Sequence, residues 1–276
     1  GLTIQNGNPG LRANKVYVDL HDVSSVGTFS PQRLHNCAGV FWKSKFHAST
    51  AKISEITGKH ILTRNAVDLT RLPAALPERN YSRIVWASSG DRGLLGALRA
   101  WDLIRQAHPE SEFHVYYGFT PTFRARAAQI EYQYFGDLGC DFNMMEYQAE
   151  CSRLMDATGA VYHGRVSNSE LMTAYQGAGV FLYPTKFPEI SCMSAMEAQV
   201  CGCLPVTSST GALAETVQYG TQVDDPTDPE KVASAVCGLI TKGAELDSYR
   251  AEMQTWAREA FGLETLADQW EQEFLK

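Results

Sequence analysis

The chain has 276 residues, enough for one large domain or two modest ones. A hydrophobic content of 44% and a charged content of 20% are typical of a globular protein and exclude intrinsic disorder. The net charge of -7 argues against nucleic acid as a bulk electrostatic partner, because phosphate backbones attract proteins with excess lysine and arginine. No run of about 18 apolar residues predicts a transmembrane segment.

The seven cysteines show neither a zinc site nor a disulfide framework, because their number is odd and no Cys-x-x-Cys pair occurs. Free, buried thiols are typical of a reducing compartment. No basic and apolar leader opens the chain, which together with the cysteines predicts a cytoplasmic protein. The histidines lack metal-ligand spacing, and no Asp-x-Asp follows a predicted strand. We therefore expect no metal site.

The N-terminal part mixes short strands with helical sequence. Three runs of β-branched and aromatic residues predict strands: Lys15–Asp22, Ala38–Phe46 and Lys59–Thr63. Residues 47–58 look helical, and residues 65–82 are rich in proline and turn formers, as interdomain linkers are. These features predict a partial, acceptor-side α/β domain over residues 1–72.

A regular alternation of strands and helices follows the linker. Predicted strands cover residues 83–87, 112–117, 160–163, 179–183 and 204–207. Predicted helices cover residues 94–108, 169–177 and 192–201, with helical sequence also reaching about residue 157. Apolar residues spaced by three or four mark the first of these helices, and a capping box of Ser167 and Glu170 is predicted to open the second. The alternation predicts a doubly wound, Rossmann-like parallel sheet over residues 73–255. We expect residues 256–276 to return as helices to the N-terminal part.

Ligands of such sheets lie at the carboxyl ends of the strands, so we expect the site among the loops after Ala87, His163 and Tyr183. The first, after Ala87, offers small side chains at Ser88 and Gly93 with Arg92 beside them at a predicted helix start. Helix-start N–H groups and an arginine would hold an oxyanion there. An ordinary turn with a surface arginine is the alternative. The pattern is neither Gly-x-Gly-x-x-Gly nor a P-loop, so a dinucleotide site and a nucleotide triphosphatase are unsupported.

Two carboxylates mark the loop after Tyr183. Glu189 lies in the loop and Glu197 on the following helix, with seven residues between them. Glu197 would suit a ribose diol, because a carboxylate accepts two hydrogen bonds from vicinal hydroxyls. Glu189, ahead of the helix, would face a sugar. For each residue singly, the alternative is a solvated surface carboxylate.

The start of that helix is a predicted anion site. We expect Ser191 or Ser194 to cap the helix. The N–H groups near Ser191, Cys192 and Met193 point toward the space above the strand. If they share the charge of a pyrophosphate with Arg92, no metal ion is needed.

The segment Pro184–Ser208 resembles the signature of the retaining family-4 glycosyltransferases. The matching residues are Glu189, Glu197-Ala198, Cys201-Gly202 and Pro205-Val206. Further segments match in the same order along the chain: His21, Asn65–Asp68, Ala87–Leu94, Gly164–Ser167 and Gly211–Val217. His21 matches the histidine that ends an amino-domain strand in that family and contacts the donor sugar.

This resemblance implies a GT-B fold and transfer of a sugar from a UDP-, GDP- or ADP-type nucleoside diphosphate sugar. The acceptor would be a hydroxyl of a glycan, a lipid-linked molecule or another compound, and no cofactor or metal would take part. The base would pack against Gly164, Arg165 and Val166. Glu189 and His21 would serve the sugar. Retention through a same-face, ion-pair-like displacement requires no enzyme nucleophile.

The sequence departs from the family pattern in three places. Glu-Ile-Ser-Cys replaces Glu-Gly-Phe-Gly at Glu189, and Ser88 or Ser89 occupies the place of the first basic residue of the phosphate loop. Little chain precedes His21, so we expect much of the acceptor half to be absent or replaced. Two alternatives therefore stay open: a nucleotide-sugar-binding fragment without turnover, and a GT-B enzyme such as a sugar-nucleotide epimerase or a phosphorylase. A phosphorylase would need a pyridoxal lysine, for which no motif is present.

Overall fold

The chain forms two parallel β-sheets that follow one another in sequence. The computed structural model describes residues 16–22, 37–51, 59–73, 77–119 and 144–275, and the account below concerns these residues. Both sheets belong to α/β units, so the predicted fold class is confirmed.

The smaller sheet has three parallel strands in the order β1-β2-β3. They are β1 (Val16–Asp19), β2 (Cys37–Trp42) and β3 (Lys59–Leu62). Strand β2 ends earlier than predicted, because Ser44 is the N-cap of helix α1 (Lys45–Ser49) and its side chain accepts a hydrogen bond from the His47 N–H. The predicted helix 47–58 thus begins at Lys45 and ends at Ser49, while residues 52–58 lie outside the described residues.

The larger sheet has six parallel strands in the order β6-β5-β4-β7-β8-β9. They are β4 (Asn80–Ser89), β5 (Glu112–Gly118), β6 (Val161–Gly164), β7 (Ala178–Tyr183), β8 (Leu204–Ser208) and β9 (Thr221–Val223). The chain moves outward from β4 to β6 and then returns to the other side of β4 as β7. This reversal of strand order creates a topological switch point between β4 and β7.

Helices cover both faces of the larger sheet. The helices that follow β4 in the chain are α2 (Leu94–Ala107), α3 (Met144–Thr158), α4 (Asn168–Gly177), α5 (Met193–Val200), α6 (Leu213–Thr216), α7 (Pro229–Lys242), α8 (Asp247–Phe261) and α9 (Leu263–Phe274). Helix α2 packs against α3 and α7, and α5 packs against α4 and α8. The predicted capping box of Ser167 and Glu170 opens α4. None of these helices has the length and apolar character that crossing a membrane requires.

The C-terminal helix α9 lies against the smaller sheet. Its Trp270 ring stacks on Phe41 with centroids 4.8 Å apart, and Phe274 meets Tyr17 at 5.0 Å. Gly262 separates α9 from α8 and pairs with Val67 on the first crossing between the sheets. The two segments that connect the sheets, near Val67 and Gly262, therefore run side by side.

The predicted linker over residues 65–82 is shorter in the structure. Its last residues, from Asn80, already belong to β4, whose ten residues extend the predicted strand at both ends. A single 3-10 turn, Leu69–Arg71, lies within the remaining segment and is capped by the Asp68 side chain. Turn-forming residues at 79–82 do not end the strand, because pairing with β7 supplies backbone partners for β4.

Two glycines provide a matched test of the packing. A Cβ atom on Gly179 would lie 2.1 Å from the Tyr81 carbonyl oxygen, whereas a Cβ on the exposed Gly238 of α7 would meet nothing within 4 Å. We expect Gly179→Ala to lower the free energy of unfolding by about 3 kcal/mol through overpacking. Gly238→Ala should raise it by about 0.5–1 kcal/mol, because alanine favours the helix. Urea denaturation measures both, and equal effects would contradict the packing of β4 on β7.

Candidate functional site

A buried tyrosine joins two loops at the switch point. The Tyr183 hydroxyl, at the end of β7, donates a hydrogen bond of 2.6 Å to Glu189 Oε1. The same hydroxyl lies 3.2 Å from the Ser88 Oγ on neighbouring β4. The structure thus brings together two predicted site residues through a third that sequence reasoning missed. Tyr183 ends an apolar strand and is indistinguishable from a core aromatic in the sequence.

Glu189 lies in a largely buried position beside this tyrosine. Burial raises the pKa of the Glu189 carboxyl, while the Tyr183 hydrogen bond and the nearby Arg92 charge oppose that rise. Its backbone carbonyl accepts a hydrogen bond of 2.7 Å from the Ala212 N–H. The carboxyl group is therefore oriented from both its side chain and its backbone, and is not a solvated surface group.

Arg92 lies against the same loop. Its guanidinium group stacks on the Phe187 ring at 3.0 Å from the centroid, and its Nε lies 3.5 Å from Asp91 Oδ2. Arg92 Nη1 and Asp91 Oδ1 are buried and have no hydrogen-bond partner in the described part of the chain. Asp91 was not singled out in the sequence, since one acidic residue in a loop resembles a solvated side chain.

Glycine is needed at the start of α2. Gly93 is its N-cap and has a φ of 95°, in the left-handed region. A Cβ atom there would lie 2.6 Å from the Pro184 carbonyl oxygen. The loop that carries Arg92 can therefore approach the loop that carries Glu189 only because residue 93 has no side chain.

The start of α5 differs from the prediction that Ser191 or Ser194 caps it. The N-cap is Cys192, whose left-handed backbone (φ 51°) replaces the extended conformation in which a serine N-cap works, and no side-chain hydrogen bond caps the helix. The Ser191 hydroxyl is buried and has no hydrogen-bond partner among the described residues. The Ala195 and Met196 N–H groups donate to the Cys192 carbonyl oxygen at 3.2 and 3.3 Å, and no side chain caps the N–H groups of Met193 and Ser194. Burial raises the pKa of the Cys192 thiol well above its ordinary value, so this thiol is neutral.

The loop after β6 reaches α5 through an asparagine. Gly164 turns the chain with a φ of 65°, the Arg165 guanidinium lies 5.6 Å from the Tyr117 ring centroid, and Val166 packs on the core. Asn168, at the start of α4, donates a hydrogen bond of 3.1 Å to Glu197 Oε1. The predicted base loop and Glu197 are thus neighbours in space.

His21 lies two residues beyond β1 and is exposed. Its Nε2 is 2.6 Å from Asp19 Oδ2, and the buried Lys43 Nζ is 2.5 Å from Asp19 Oδ1. No hydrogen bond between described residues joins His21 to Glu189 or Arg92. The smaller sheet instead touches the Glu189 loop through Ser44, whose Oγ donates to the Ile190 carbonyl at 2.8 Å. Asp19 and Lys43 were missed, although Asp19 is the last residue of β1 and Lys43 directly follows the neighbouring parallel strand β2.

The site combines two largely buried carboxyl groups, Glu189 and Glu197, with Arg92 and the uncapped start of α5. It lies at the switch point of the larger sheet, and the smaller parallel sheet reaches its Glu189 loop through Ser44. Two α/β units in this arrangement define the GT-B type of fold. The family model of the glycosyl transferases group 1 matches residues 84–242, and the chain belongs to this family. No curated protein matches the chain.

Solved structures share the fold at low sequence identity. The chain is similar to sucrose-phosphate synthase from Thermosynechococcus elongatus, with 16% identity and a TM-score of 0.66 over 94% of this chain and 66% of that one. It is also similar to Anabaena HepE in complex with UDP and glucose, with 16% identity and a TM-score of 0.69 over 94% and 71% of the two chains. The pneumococcal O-GlcNAc transferase GtfA, in complex with UDP and GlcNAc, shares 15% identity and a TM-score of 0.59 over 87% and 45%. The chain therefore spans just under two thirds of the first of these proteins.

The Glu197 carboxyl provides a pH-dependent test of the site. Burial raises its pKa from 4.5 to about 7, while the Asn168 hydrogen bond opposes the rise. Above pH 7 the folded protein must hold a desolvated charge, so stability falls as the pH rises from about 4.5 to 7. Glu197→Gln should remove this dependence. The free energy of unfolding of the variant, relative to that of the wild type, should therefore increase by about 2 kcal/mol from pH 5 to pH 8. Denaturation of both proteins at the two pH values measures the gain, and parallel curves would contradict a buried carboxyl.

Proposed function

We propose that the chain binds a nucleoside diphosphate sugar and transfers the sugar to an acceptor hydroxyl with retention of anomeric configuration, as a family-4 enzyme. The observation that carries the proposal is the meeting of Arg92, Glu189 and the uncapped start of α5 at the switch point. UDP or a UDP-sugar occurs in the names of the HepE and GtfA structures, which favours a uridine donor over GDP or ADP types.

The domain roles follow from this proposal. Residues 73–255 form the donor domain, and residues 1–72 form the acceptor side. Residues 256–276 return to the acceptor side, which the stacking of Trp270 on Phe41 supports. The acceptor hydroxyl belongs to a glycan, a lipid-linked molecule or another compound that enters between the two sheets.

The diphosphate binds beside Arg92 and the start of α5. Arg92 supplies a guanidinium whose Nη1 has no described partner, and the first turn of α5 near Cys192 and Met193 supplies N–H groups. These donors stabilise the negative charge that grows on the leaving diphosphate. Ser88 and Gly93 allow close approach of the phosphates, and no metal ion takes part.

The nucleoside binds between the loop after β6 and α5. The base packs on Gly164, Arg165 and Val166, and the ribose hydroxyls donate to Glu197. Because hydrogen bonds from a diol favour the charged carboxylate, nucleotide binding lowers the raised pKa of Glu197 and releases a proton near neutral pH.

The sugar binds beside Glu189, and His21 reaches it from the smaller sheet. In the transfer, the bond between the anomeric carbon and the phosphate oxygen breaks. The acceptor oxygen bonds to the same face of that carbon, and its proton passes to the departing phosphate. The Tyr183 hydrogen bond occupies one oxygen of the Glu189 carboxyl group and fixes its orientation, which suits the other oxygen to accept hydrogen bonds from sugar hydroxyls.

Calorimetry with UDP in excess EDTA tests the donor site. We expect binding to persist in the chelator, and Arg92→Ala to weaken it by about 1.5–3 kcal/mol, the scale of a charge-assisted hydrogen bond. Arg153→Ala is the matched control, because Arg153 is an exposed arginine paired only locally with Glu150. Loss of binding in EDTA with recovery in magnesium, or unchanged affinity of Arg92→Ala, would contradict the assignment.

Separate substitutions distinguish the two carboxylates. Glu197→Ala should weaken UDP and UDP-glucose about equally, because it removes a ribose contact common to both. Glu189→Ala should leave UDP affinity within about twofold and reduce turnover at least about tenfold, because its contact strengthens in the transition state. Calorimetry and release of UDP from the donor measure the two effects.

Four outcomes decide between the alternatives. Equal loss of UDP binding in Glu189→Ala and Glu197→Ala would make them one nucleotide-binding unit. Donor binding without transfer to any hydroxyl would favour a nucleotide-sugar-binding fragment, and interconversion of sugar epimers would favour an epimerase. An inverted anomeric centre in the product, read by proton NMR, would contradict retention.

A further inference from the structure

Three consecutive carbonyl oxygens hold the Glu189 loop in place. Those of Glu189–Ser191 accept hydrogen bonds, in chain order, from the Ala212 N–H, the Ser44 hydroxyl and the Thr216 hydroxyl at 2.7, 2.8 and 3.1 Å. The first and third donors belong to the segment that contains α6. The middle donor, Ser44, is the N-cap of α1, the helix that follows β2 of the smaller sheet. The loop is therefore clamped from both sides of the cleft.

The α6 segment lies unusually close to this loop. Gly211 has a φ of 63°, and a Cβ atom on it would lie 2.6 Å from the Glu189 carbonyl oxygen. Backbone thus packs on backbone, with no side chain between the two segments. A displacement of residues 211–216 would consequently move Glu189 with it.

Glu215 connects the same segment to helix α1 across the cleft. Its Oε2 accepts from the Lys45 N–H at 2.9 Å and its Oε1 from the Phe46 N–H at 2.8 Å. The next N–H, that of His47, donates to the Ser44 Oγ at 2.9 Å. Helix starts leave such N–H groups without partners in their own helix. Here a carboxylate from the donor side satisfies two of them, and its negative charge also suits the helix dipole.

We propose that Glu215 and Ser44 are positioning residues that dock α1 on the Glu189–Ser191 loop and thereby hold Glu189 against the donor sugar. The proposal rests on the function proposed above, since it assigns the sugar to Glu189. Glu215 lies between Ala212 and Thr216 in sequence. One short segment is therefore hydrogen-bonded both to α1 and to the Glu189–Ser191 loop, and a shift of α1 would move the loop. Neither residue contacts Arg92 or Glu197 in the described part of the chain, and the Ser44 hydrogen bond falls on Ile190, ahead of the helix start assigned to the diphosphate. We therefore expect nucleoside diphosphate binding to depend less than sugar binding on this clamp, which Glu215 and Ser44 form.

Loss of the clamp should affect the two ligands differently, because only UDP-glucose carries the sugar that Glu189 would contact. In Glu215→Ala and in Ser44→Ala we expect the Kd of UDP to stay within about twofold, and that of UDP-glucose to rise about tenfold, the scale of one or two lost hydrogen bonds. Glu215→Gln keeps one acceptor oxygen and should fall between Glu215→Ala and the wild type. Glu252→Ala on α8 is the control, since that exposed carboxylate contacts only Tyr219 among the described residues.

Amide hydrogen exchange provides a readout that needs no ligand. The Lys45 and Phe46 amides should exchange faster in Glu215→Ala than in Glu252→Ala, while the amides of β4 and β7 keep their protection. Protection of those strands also shows that the variants are folded. Unchanged exchange at residues 45–46 would overturn the docking role, whatever the ligand results.

The double variant completes the test. If both residues act through one clamp, Ser44→Ala with Glu215→Ala should raise the Kd of UDP-glucose little further than either alone. Loss of UDP and UDP-glucose affinity to the same degree would overturn the proposed link to the sugar. Absence of UDP binding in the wild type would instead count against the proposed function, because the exchange experiment judges the clamp independently.

Discussion

Strand β7 returns to the free side of β4, and the site depends on this reversal. Ligands of such sheets bind at the point where the strand order reverses. The loops that follow these two strands meet there, since Gly93 packs against Pro184 and the Tyr183 hydroxyl lies between Ser88 and Glu189. Without the reversal, the Tyr183 hydroxyl would not lie between Ser88 and Glu189.

The switch point places like charges in a poorly solvated setting. Burial raises the pKa of both Glu189 and Glu197, and Asp91 lies beside the only described arginine that stacks on this loop. In such a poorly solvated setting, the attraction between a charged ligand and protein groups of opposite charge is stronger than in water. Arg92 Nη1 and the Ser191 hydroxyl remain unpaired among the described residues, and the donor proposed above would account for these buried polar groups.

Local sequence patterns predicted the elements whose stabilising contacts are local. Helix α2 followed from its three- and four-residue apolar spacing, and α4 from the capping box of Ser167 and Glu170. The Cys192 N-cap could not be predicted, because residue propensities favour serine at an N-cap and do not anticipate the left-handed backbone that Cys192 adopts in the folded chain. The early end of β2 likewise depends on α1, whose first N–H groups find their partner 169 and 170 residues away.

The sequence by itself determined the alternation that makes a parallel sheet, and the spacing of Glu189 and Glu197 that the family signature shares. Both depend on periodicity and order along the chain, which are local properties. Only the tertiary structure decided that Tyr183 binds Glu189, that Asn168 binds Glu197 and that Glu215 caps α1. These pairs are distant in sequence or hidden among core residues, and hydrogen bonds of this kind form only after hydrophobic packing has brought the segments together.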